Sequence, residues 1–156
     1  MEIAVVAVGK LRTYYREAFD DYARRLSRHV TFREHEVREA SRAPNVAAQR
    51  AEEAARLGAR LPEHTSVVAL ARVGAGWTSS DLAKQLERWM VAARPLSFVI
   101  GGSHGLDAAL ISRAAARWSL GPLTLPHELA RVVVVEQLYR AFTILGREPY
   151  HKGCER

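Results

Sequence analysis

Residues 96–106 read LSFVIGGSHGL, and this stretch decides the class of fold. Its first five residues are nearly all apolar and partly β-branched, which is typical of a buried strand. Gly101 and Gly102 then remove side chains where the strand must end, and Asp107 stands where it can cap a following helix. Ligands of open α/β sheets bind at such strand ends, where exposed backbone N–H groups can meet them. The same glycines are also compatible with a tight turn and no ligand.

The rest of the chain repeats this alternation of strand and helix. Apolar, β-branched runs predict strands, and apolar residues at helical spacing predict helices. The predicted strands are residues 3–8, 31–37 at an edge, 66–71 and 96–100, with a fifth element, strand or loop, at 120–125; the predicted helices are 14–29, 45–61, a segment behind Thr78, 108–118 and 127–145. A glycine-bearing turn is predicted at 72–77. The pattern predicts one α/β domain over residues 1–156, a mostly parallel sheet with helices on both faces.

Three helix starts carry capping signals. Asn45 is a favoured N-cap residue, and Thr78 with Asp81 three residues later matches a capping box. Pro126 suits the first position of a helix. We therefore expect helices to begin at or directly after these residues.

The charge of the chain is basic. It has 156 residues and a formal net charge of +6, and of its 23 basic residues only three are lysines, which leaves 20 arginines. Arginine suits bidentate phosphate recognition and stacking on bases, which favours a nucleic-acid partner. Arginine excess also arises from codon usage in a GC-rich genome, so charge alone leaves the partner open.

Several classes of protein are excluded or disfavoured. No apolar run approaches the ~20 residues needed to cross a bilayer, and the N-terminus, MEIAVVAVGK, lacks the basic segment of a secretory signal. The single cysteine, Cys154, excludes an internal disulfide and indicates the cytoplasm. No His or carboxylate spacing indicates a metal site, and neither a P-loop nor a dinucleotide fingerprint is present. We expect a cytoplasmic protein with no metal and no membrane association.

Three predicted strand ends can contribute to one binding site. They lie at Leu70 and Ala71, at Gly101 and Gly102, and in residues 120–125. The carboxyl ends of parallel strands share one edge of a sheet, so these segments can converge on a single ligand. Apolar side chains with exposed backbone amides suit an adenine or adenosine group. Buried strand ends without a ligand are the alternative.

The end of the chain is polar and aromatic. Tyr150 and His151 follow Pro149. Such side chains can stack on a nucleic-acid base and hydrogen-bond its edge. On composition alone, a frayed tail is the simpler interpretation.

Four segments, in this order, resemble one protein family: AVVAVGKL at residues 4–11, FVIGGSHGL at 98–106, LTLPHELARVVVVEQLYRAFTI at 123–144 and PYHK at 149–152. The family is RlmH, the ribosomal large-subunit pseudouridine N3-methyltransferases of the SPOUT type. The resemblance extends over essentially the whole chain. The combination of TLPH, LYRA and YH is its most specific part.

This resemblance implies a five-stranded α/β sheet with a C-terminal trefoil knot, and S-adenosylmethionine as the cofactor. The matching cofactor positions are Leu70, Gly101, Leu120, Gly121, Pro122, Leu123, Thr124 and Leu125. The implied reaction is methylation of N3 of a pseudouridine in helix 69 of 23S rRNA, on the assembled 70S ribosome. The family's enzymes are homodimers, and the second subunit completes each site.

The resemblance also implies roles for polar residues near the C-terminus. Tyr150 and His151 are expected to hold or deprotonate the base, with His151 as the acid/base candidate because imidazole titrates near neutrality. Arg131 and Arg140 are each expected to supply positive charge to the reaction or to contact a phosphate, with Arg140 among the catalytic residues and Arg131 among the RNA-binding ones. His127 is expected on the RNA-binding side, where it orients the loop after LTL.

One region departs from the family's pattern. Many relatives have an acidic residue after the leucine that matches Leu70, whereas this chain has Ala71 and Arg72. We therefore expect the cofactor contacts to be arranged differently here. Two functions of other classes stay open: a non-catalytic RNA-binding module with the same fold, and an oxidoreductase with a nucleotide cofactor, which the missing fingerprint disfavours.

Overall fold

Strands and helices alternate along the chain, as the sequence pattern predicts. The computed structural model describes residues 1–151, with His151 described by its backbone only, and Cys154 lies outside the described residues. The strands are β1 (Glu2–Val8), β2 (Thr31–Val37), β3 (Ser66–Ala75), β4 (Leu96–Ile100) and β5 (Ala116–Trp118); the helices are α1 (Thr13–Leu26), α2 (Val46–Ala59), α3 (Ser79–Ala92), α4 (Ala108–Arg113) and α5 (His127–Leu145), followed by a 3₁₀ turn at Pro149–His151.

The five strands form one parallel sheet. Their order is β2-β1-β4-β3-β5, and each pair of neighbours is parallel. Residues 3–8 of β1 and the whole of β4 are buried, which is why both read as continuous apolar runs. β2 lies at an edge, so the edge position predicted for residues 31–37 is confirmed.

Helices cover both faces of the sheet. α1, α3 and α5 pack on one face through residues such as Phe19, Leu82 and Leu138, and α2 and α4 pack on the other through Leu57 and Leu110. The predicted α/β architecture is therefore confirmed. Within the described residues, no helix is both long and apolar enough to span a membrane.

The segment 108–118 is not the single helix that its sequence predicts. α4 is short, and β5 follows it as the fifth strand, paired with β3. The N–H of Ala115 already donates to the carbonyl of Val67 at 2.9 Å. The free edge of β3 supplies these hydrogen bonds, and this tertiary pairing overrides the helix propensity of alanine. Residues 120–125, predicted as strand or loop, are a loop.

β3 is longer than predicted because it contains a bulge. Most of the turn predicted at 72–77 is strand, but the register against β5 jumps between Leu70 and Ala75, so residues 71–74 project out of the ladder. A side chain at Gly74 would not fit, since its Cβ would lie 2.9 Å from the backbone of β5. Gly74 therefore lets the bulge lie against the backbone of β5.

The predicted helix caps are partly confirmed. The Asn45 side chain accepts an N–H of the first turn of α2 at 2.8 Å, and Thr78 and Asp81 form the predicted capping box. Asp107 occupies the N-cap position of α4 but makes no capping hydrogen bond through its side chain. Pro126 is the N-cap of α5 rather than its first helical residue.

A buried ion network ties α5 to the sheet. Arg131 of α5 is 1% exposed, and its guanidinium donates to the carbonyls of Val8 at 3.0 Å and Gly9 at 2.9 Å, where β1 ends. It also donates to the Glu36 carboxylate of β2 at 2.5 Å, which Arg16 of α1 binds at 2.8 Å.

Glu34 is the fourth member of the network. Its side chain lies on the same face of β2 as Glu36, and it accepts from Arg16 at 2.7 Å. These hydrogen bonds hold the pKa of Arg16 above its usual value. We call Arg16, Glu34, Glu36 and Arg131 the ion network; it joins β1, β2, α1 and α5.

Replacing Arg131 by Ala should destabilise the protein by about 3 kcal/mol, because the change removes one of the two arginines that bind Glu36 and the side-chain donor to the carbonyls of Val8 and Gly9. Urea unfolding measures the loss as a lower midpoint at unchanged slope. Arg33→Ala is the matched control: Arg33 pairs with Glu2 at an exposed position, and its loss should cost less than about 1 kcal/mol. Unchanged stability of the Arg131 variant would contradict a structural role.

Candidate active site

A cleft opens at the carboxyl edge of the sheet. β3 and β4 end there, and the loop after β5 passes over them, so the three segments that the sequence predicts to converge do meet. The cavity is about 160 Å³, several times the roughly 30 Å³ that a water molecule occupies in the liquid. Ile100 and Trp118 form its apolar inner end. The cleft can therefore accept a ring system rather than water alone.

Most of the expected cofactor residues line this cleft. They are Leu70, Gly101, Leu120, Gly121, Leu123 and Leu125. Pro122 and Thr124 lie on the same loop but outside the lining. Ala71 and Arg72 also line the cleft, and Arg72 donates a hydrogen bond to the Thr124 hydroxyl of the loop at 120–125. Arg72 thus links the β3 bulge to the loop at 120–125.

Gly101 lets two backbone segments touch at the floor of the cleft. Gly102 and Gly105 form an isolated bridge, in which the N–H of Gly105 donates to the Gly102 carbonyl at 3.0 Å. A Cβ on Gly101 would lie 2.6 Å from the carbonyl carbon of Gly105, far inside contact distance. Any larger residue would push this loop open. The glycine is therefore required by the shape of the cleft.

The first turn of α5 closes the cleft from the side of β1. His127 lines the cavity and lies close to Gly9. The carboxylate of the next residue, Glu128, accepts the N–H of Arg12 at 2.6 Å. Together with Arg131, this contact sets the point at which α5 begins.

A second group of polar side chains lies at the other end of α5. The carboxylate of Glu136 accepts hydrogen bonds from Arg140 Nη2 at 2.6 Å and from the Tyr150 hydroxyl at 3.0 Å. The guanidinium carbon of Arg140 lies 4.9 Å from the centre of the Tyr150 ring, and Tyr139 packs edge-on against that ring at 4.7 Å. We call Glu136, Tyr139, Arg140 and Tyr150 the tyrosine cluster.

Two members of the tyrosine cluster, Arg140 and Tyr150, are predicted from the sequence. Glu136, which binds both, is not. Glu136 precedes Arg140 by four residues on one helix, a spacing that stabilises opposite charges, so the signal for this pair is present in the sequence. The side chain of His151 lies outside the described part of the chain. Its acid/base role therefore stays a prediction.

Tyr150 is a hydrogen-bond donor at neutral pH. Burial raises its pKa, and contacts with Tyr22 and with the Glu136 carboxylate raise the pKa further. The phenol therefore keeps its proton well above neutrality. Of the two expected roles, holding the base or deprotonating it, this state fits only holding.

The cleft and the tyrosine cluster lie at different positions along α5. His127 is the first residue of α5, and Glu136 and Arg140 follow it by nine and 13 residues. A helix rises ~1.5 Å per residue, so they lie roughly 14 and 20 Å further along the axis. The structure brings together the expected cofactor residues, and separately Arg140 and Tyr150. Between the two groups, Gln137, which donates to Glu136 at 2.7 Å, lines a neighbouring cavity together with Leu120 and Gly121 of the cleft loop.

The structure does not support the RNA contact expected of Arg131. Its side chain is buried, and its two terminal nitrogens bind protein groups of β1 and β2. A phosphate could reach it only by displacing the ion network. No group of three or more His, Cys, Asp or Glu side chains within the described residues is placed to hold a metal ion.

Comparison with known proteins assigns the chain to a family. Residues 1–151 match the family model described as "Predicted SPOUT methyltransferase". The ribosomal RNA large subunit methyltransferase H of Anaeromyxobacter sp. (strain Fw109-5) is 48% identical over 153 residues, which cover 97% of this chain and 100% of that protein. The protein of the same name from Chromobacterium violaceum is 40% identical over 155 residues, covering 97% and 99%.

The chain belongs to the ribosomal RNA large subunit methyltransferase H family of SPOUT methyltransferases.

Solved structures at lower identity agree with a SPOUT methyltransferase fold. A probable methyltransferase from Bordetella pertussis Tohama I matches with a TM-score of 0.50 at 16% identity, covering 89% of this chain and 95% of that one. A putative methylase family protein from Neisseria gonorrhoeae matches with a TM-score of 0.52 at 12% identity, covering 88% and 81%. At these identities the likeness concerns the fold alone.

Replacing Glu136 by Gln should lower the pKa of Tyr150, because the change removes a negative charge beside the phenol. A raised pKa stabilises the folded state below the unfolded value of about 10, and this contribution is lost as pH rises through the folded pKa. Because the loss begins at the unfolded pKa in both proteins, the variant should lose less stability at alkaline pH than the wild type, and its loss should be complete at a lower pH.

Ultraviolet absorbance of the tyrosinate form, with Tyr150→Phe subtracted as reference, measures the shift. The control is Glu52→Gln, which removes an exposed carboxylate paired with Arg56. An unchanged or higher Tyr150 pKa in the Glu136 variant would show that the carboxylate does not act on the phenol.

Proposed function

We propose that this protein is an S-adenosylmethionine-dependent methyltransferase of 23S rRNA. It acts in the cytoplasm, on the assembled 70S ribosome, at N3 of a pseudouridine in helix 69. The observation that carries the proposal is the cleft at three strand ends in a chain of this family. The names of the relatives supply the large-subunit RNA, and the resemblance of the motifs supplies the nucleoside and its position.

The residues of the cleft fit the adenosine part of S-adenosylmethionine. Leu70, Ile100 and Leu125 offer apolar contacts to a flat ring, while Gly101 and Gly105 leave the backbone unobstructed. We assign cofactor binding to these glycines, to Leu70 and to the loop at 120–125. When bound, the cofactor supplies an electrophilic methyl group. The chain itself binds, orients and excludes water.

The tyrosine cluster has the chemistry to hold a base. Tyr150 donates its one O–H to Glu136, which fixes the positions of Tyr150 and Arg140. The phenol oxygen can still accept a hydrogen bond from a base, and its ring can stack on one. N3 must lose its proton before it can accept a methyl group. The guanidinium of Arg140 favours the deprotonated base because a nearby positive charge lowers its pKa, although Glu136 offsets part of that charge. His151 is the proposed acceptor of the N3 proton.

A homodimer supplies each site with both groups. Transfer requires reacting atoms about 3–3.5 Å apart, whereas Glu136 and Arg140 lie roughly 14 and 20 Å along α5 from His127 at the cleft of the same chain. Two copies related by a two-fold axis can set the cluster of one against the cleft of the other. Leu123, which is 78% exposed at the cleft, suits burial against a second copy.

The path of the chain supports a trefoil knot within a single domain. From β5 at the edge of the sheet, the loop returns across the ends of β3 and β4 to reach the end of β1, where α5 begins. On this path Thr124 is bonded by Arg72 of the β3 bulge, and Leu120 and Leu125 face the β4 loop. A segment held between two loops in this way suits a threaded arrangement.

Methylation of 70S ribosomes from cells that lack this modification tests the proposal most broadly. The wild-type protein should add one methyl group to a helix 69 fragment, read by mass spectrometry. Tyr150→Ala/His151→Ala should slow the reaction at least about 100-fold while leaving cofactor affinity nearly unchanged. Full activity of this variant would contradict the assignment of base-binding residues.

Ribosome binding and thermal stability with added cofactor distinguish the other two functions. A wild-type protein that binds ribosomes but gains no heat stability from S-adenosylmethionine would be a non-catalytic RNA-binding module. One stabilised by NADH instead would be an oxidoreductase. Either result would contradict the proposed function.

Gly101→Ala should weaken S-adenosylmethionine binding at least about tenfold, because its Cβ collides with the backbone of Gly105. Isothermal calorimetry measures the affinity. Gly58→Ala is the control: it adds the same methyl group in α2, where nothing lies within 4 Å, and helix propensity predicts equal or slightly higher stability. Unchanged affinity of the Gly101 variant would place the cofactor elsewhere.

A further inference from the structure

A second cleft adjoins the proposed cofactor cleft. The two share a wall formed by Leu70, Ala71, Arg72 and Gly105. The second cavity is the larger, at about 410 Å³. Nothing in the proposed methyl transfer uses it.

Four cationic or imidazole side chains from four different parts of the fold meet around this second cleft: Arg50 of α2, Arg72 of the β3 bulge, His104 of the β4 loop and Arg117 of β5. All four residues are exposed. No carboxylate lines the cavity among the described residues. We call these four residues and the space between them the arginine cleft.

The guanidinium groups of the arginine cleft keep unused donors. Arg117 makes no side-chain hydrogen bond or ion pair with any residue in the described part of the chain. Arg50 donates only through Nε, to the carbonyl of His104 at 2.6 Å, so both of its terminal nitrogens lack a protein partner within residues 1–151. Buried Arg131 and half-buried Arg16, by contrast, are matched with carboxylates. Convergent arginines without acids favour an anion between them.

Three parts of the fold bring these side chains together. The bulge of β3 turns Arg72 and Val73 out of the sheet, and Val73 is 81% exposed at the edge of the cavity. The neighbouring strand presents Arg117 opposite Ala69 of β3. Arg50 reaches across from α2 to the β4 loop. An exposed aliphatic surface among guanidinium groups suits a sugar–phosphate chain, which has both apolar and anionic parts.

We propose that the arginine cleft binds the sugar–phosphate backbone of the RNA substrate, next to the cleft that holds the methyl donor. Arg72 lines both clefts and bonds Thr124 of the loop at 120–125, so a phosphate at Arg72 lies beside the proposed cofactor cleft. The inference rests on the proposed function and extends it by naming where the RNA backbone is held. Arg131, buried in the core, cannot take that role.

The test is the salt dependence of binding to purified 70S ribosomes. Arg50→Gln/Arg117→Gln should lower the slope of log Kd against log salt by about 1.4–1.8, since each lost phosphate contact accounts for about 0.7–0.9. Affinity should fall at least about tenfold near 0.1 M salt. The control, Arg88→Gln/Arg94→Gln, removes the same charge from exposed positions in and after α3, and should change the slope by less than about 0.5.

Sedimentation, calorimetry and a single variant complete the test. A slope equal to that of the wild type would overturn the proposal, and so would a loss of dimer in sedimentation with unchanged affinity per dimer, because the cleft would then contact a second copy. Calorimetry with S-adenosylmethionine should show unchanged affinity. If Arg50→Gln disturbs the cofactor loop, Arg117→Gln alone must still lower the slope by about 0.7–0.9. A wild-type protein that neither binds nor methylates ribosomes would instead refute the proposed function.

Discussion

The contact between Arg131 and the carboxyl end of β1 is the interaction on which the site depends. α5 follows the cleft loop directly, so the hydrogen bonds from Arg131 to Val8 and Gly9 fix where that loop must return. Glu36 balances the buried charge from β2. A guanidinium buried without such partners would cost several kcal/mol. The position of the cleft wall is therefore linked to the stability of the core.

The length of α5 imposes the second constraint. The same helix begins at the cleft with His127 and carries Glu136 and Arg140 of the tyrosine cluster nine and 13 residues later, roughly 14 and 20 Å along its axis. The two groups differ in chemistry: the cleft is lined mostly by apolar side chains and glycines, and the cluster carries the charges of Glu136 and Arg140. A dimer resolves this separation without any change in the fold.

Features with local signals were predictable from the sequence. The buried strands β1 and β4, the capping box of Thr78 and Asp81, and the convergence of strand ends at Leu70 and Gly101 follow from apolar runs, caps and the geometry of parallel sheets. β5 was not predictable, because alanines at 114–116 carry no strand signal and the open edge of β3 decides their conformation.

The role of Arg131 was not predictable for a related reason. Its partner Glu36 lies 95 residues away in the chain, and sequence does not tell whether an arginine meets a carboxylate or a phosphate. The prediction of one helix over 108–118 was wrong for the same reason, because residues 116–118 pair with β3 as strand β5. Both misses come from long-range pairing, whereas Glu136 could have been found from its spacing to Arg140.

Subunit complementation tests the central claim, that the cleft of one copy works with the tyrosine cluster of the other. Gly101→Ala and Tyr150→Ala each spoil one half, so either homodimer alone should be nearly inactive on 70S ribosomes. After dissociation and reassociation in equal amounts, about half of the dimers are mixed, and each has one intact composite site. Recovery of about a quarter of wild-type activity is the predicted result. No recovery, in a mixture shown to contain mixed dimers, would contradict the claim.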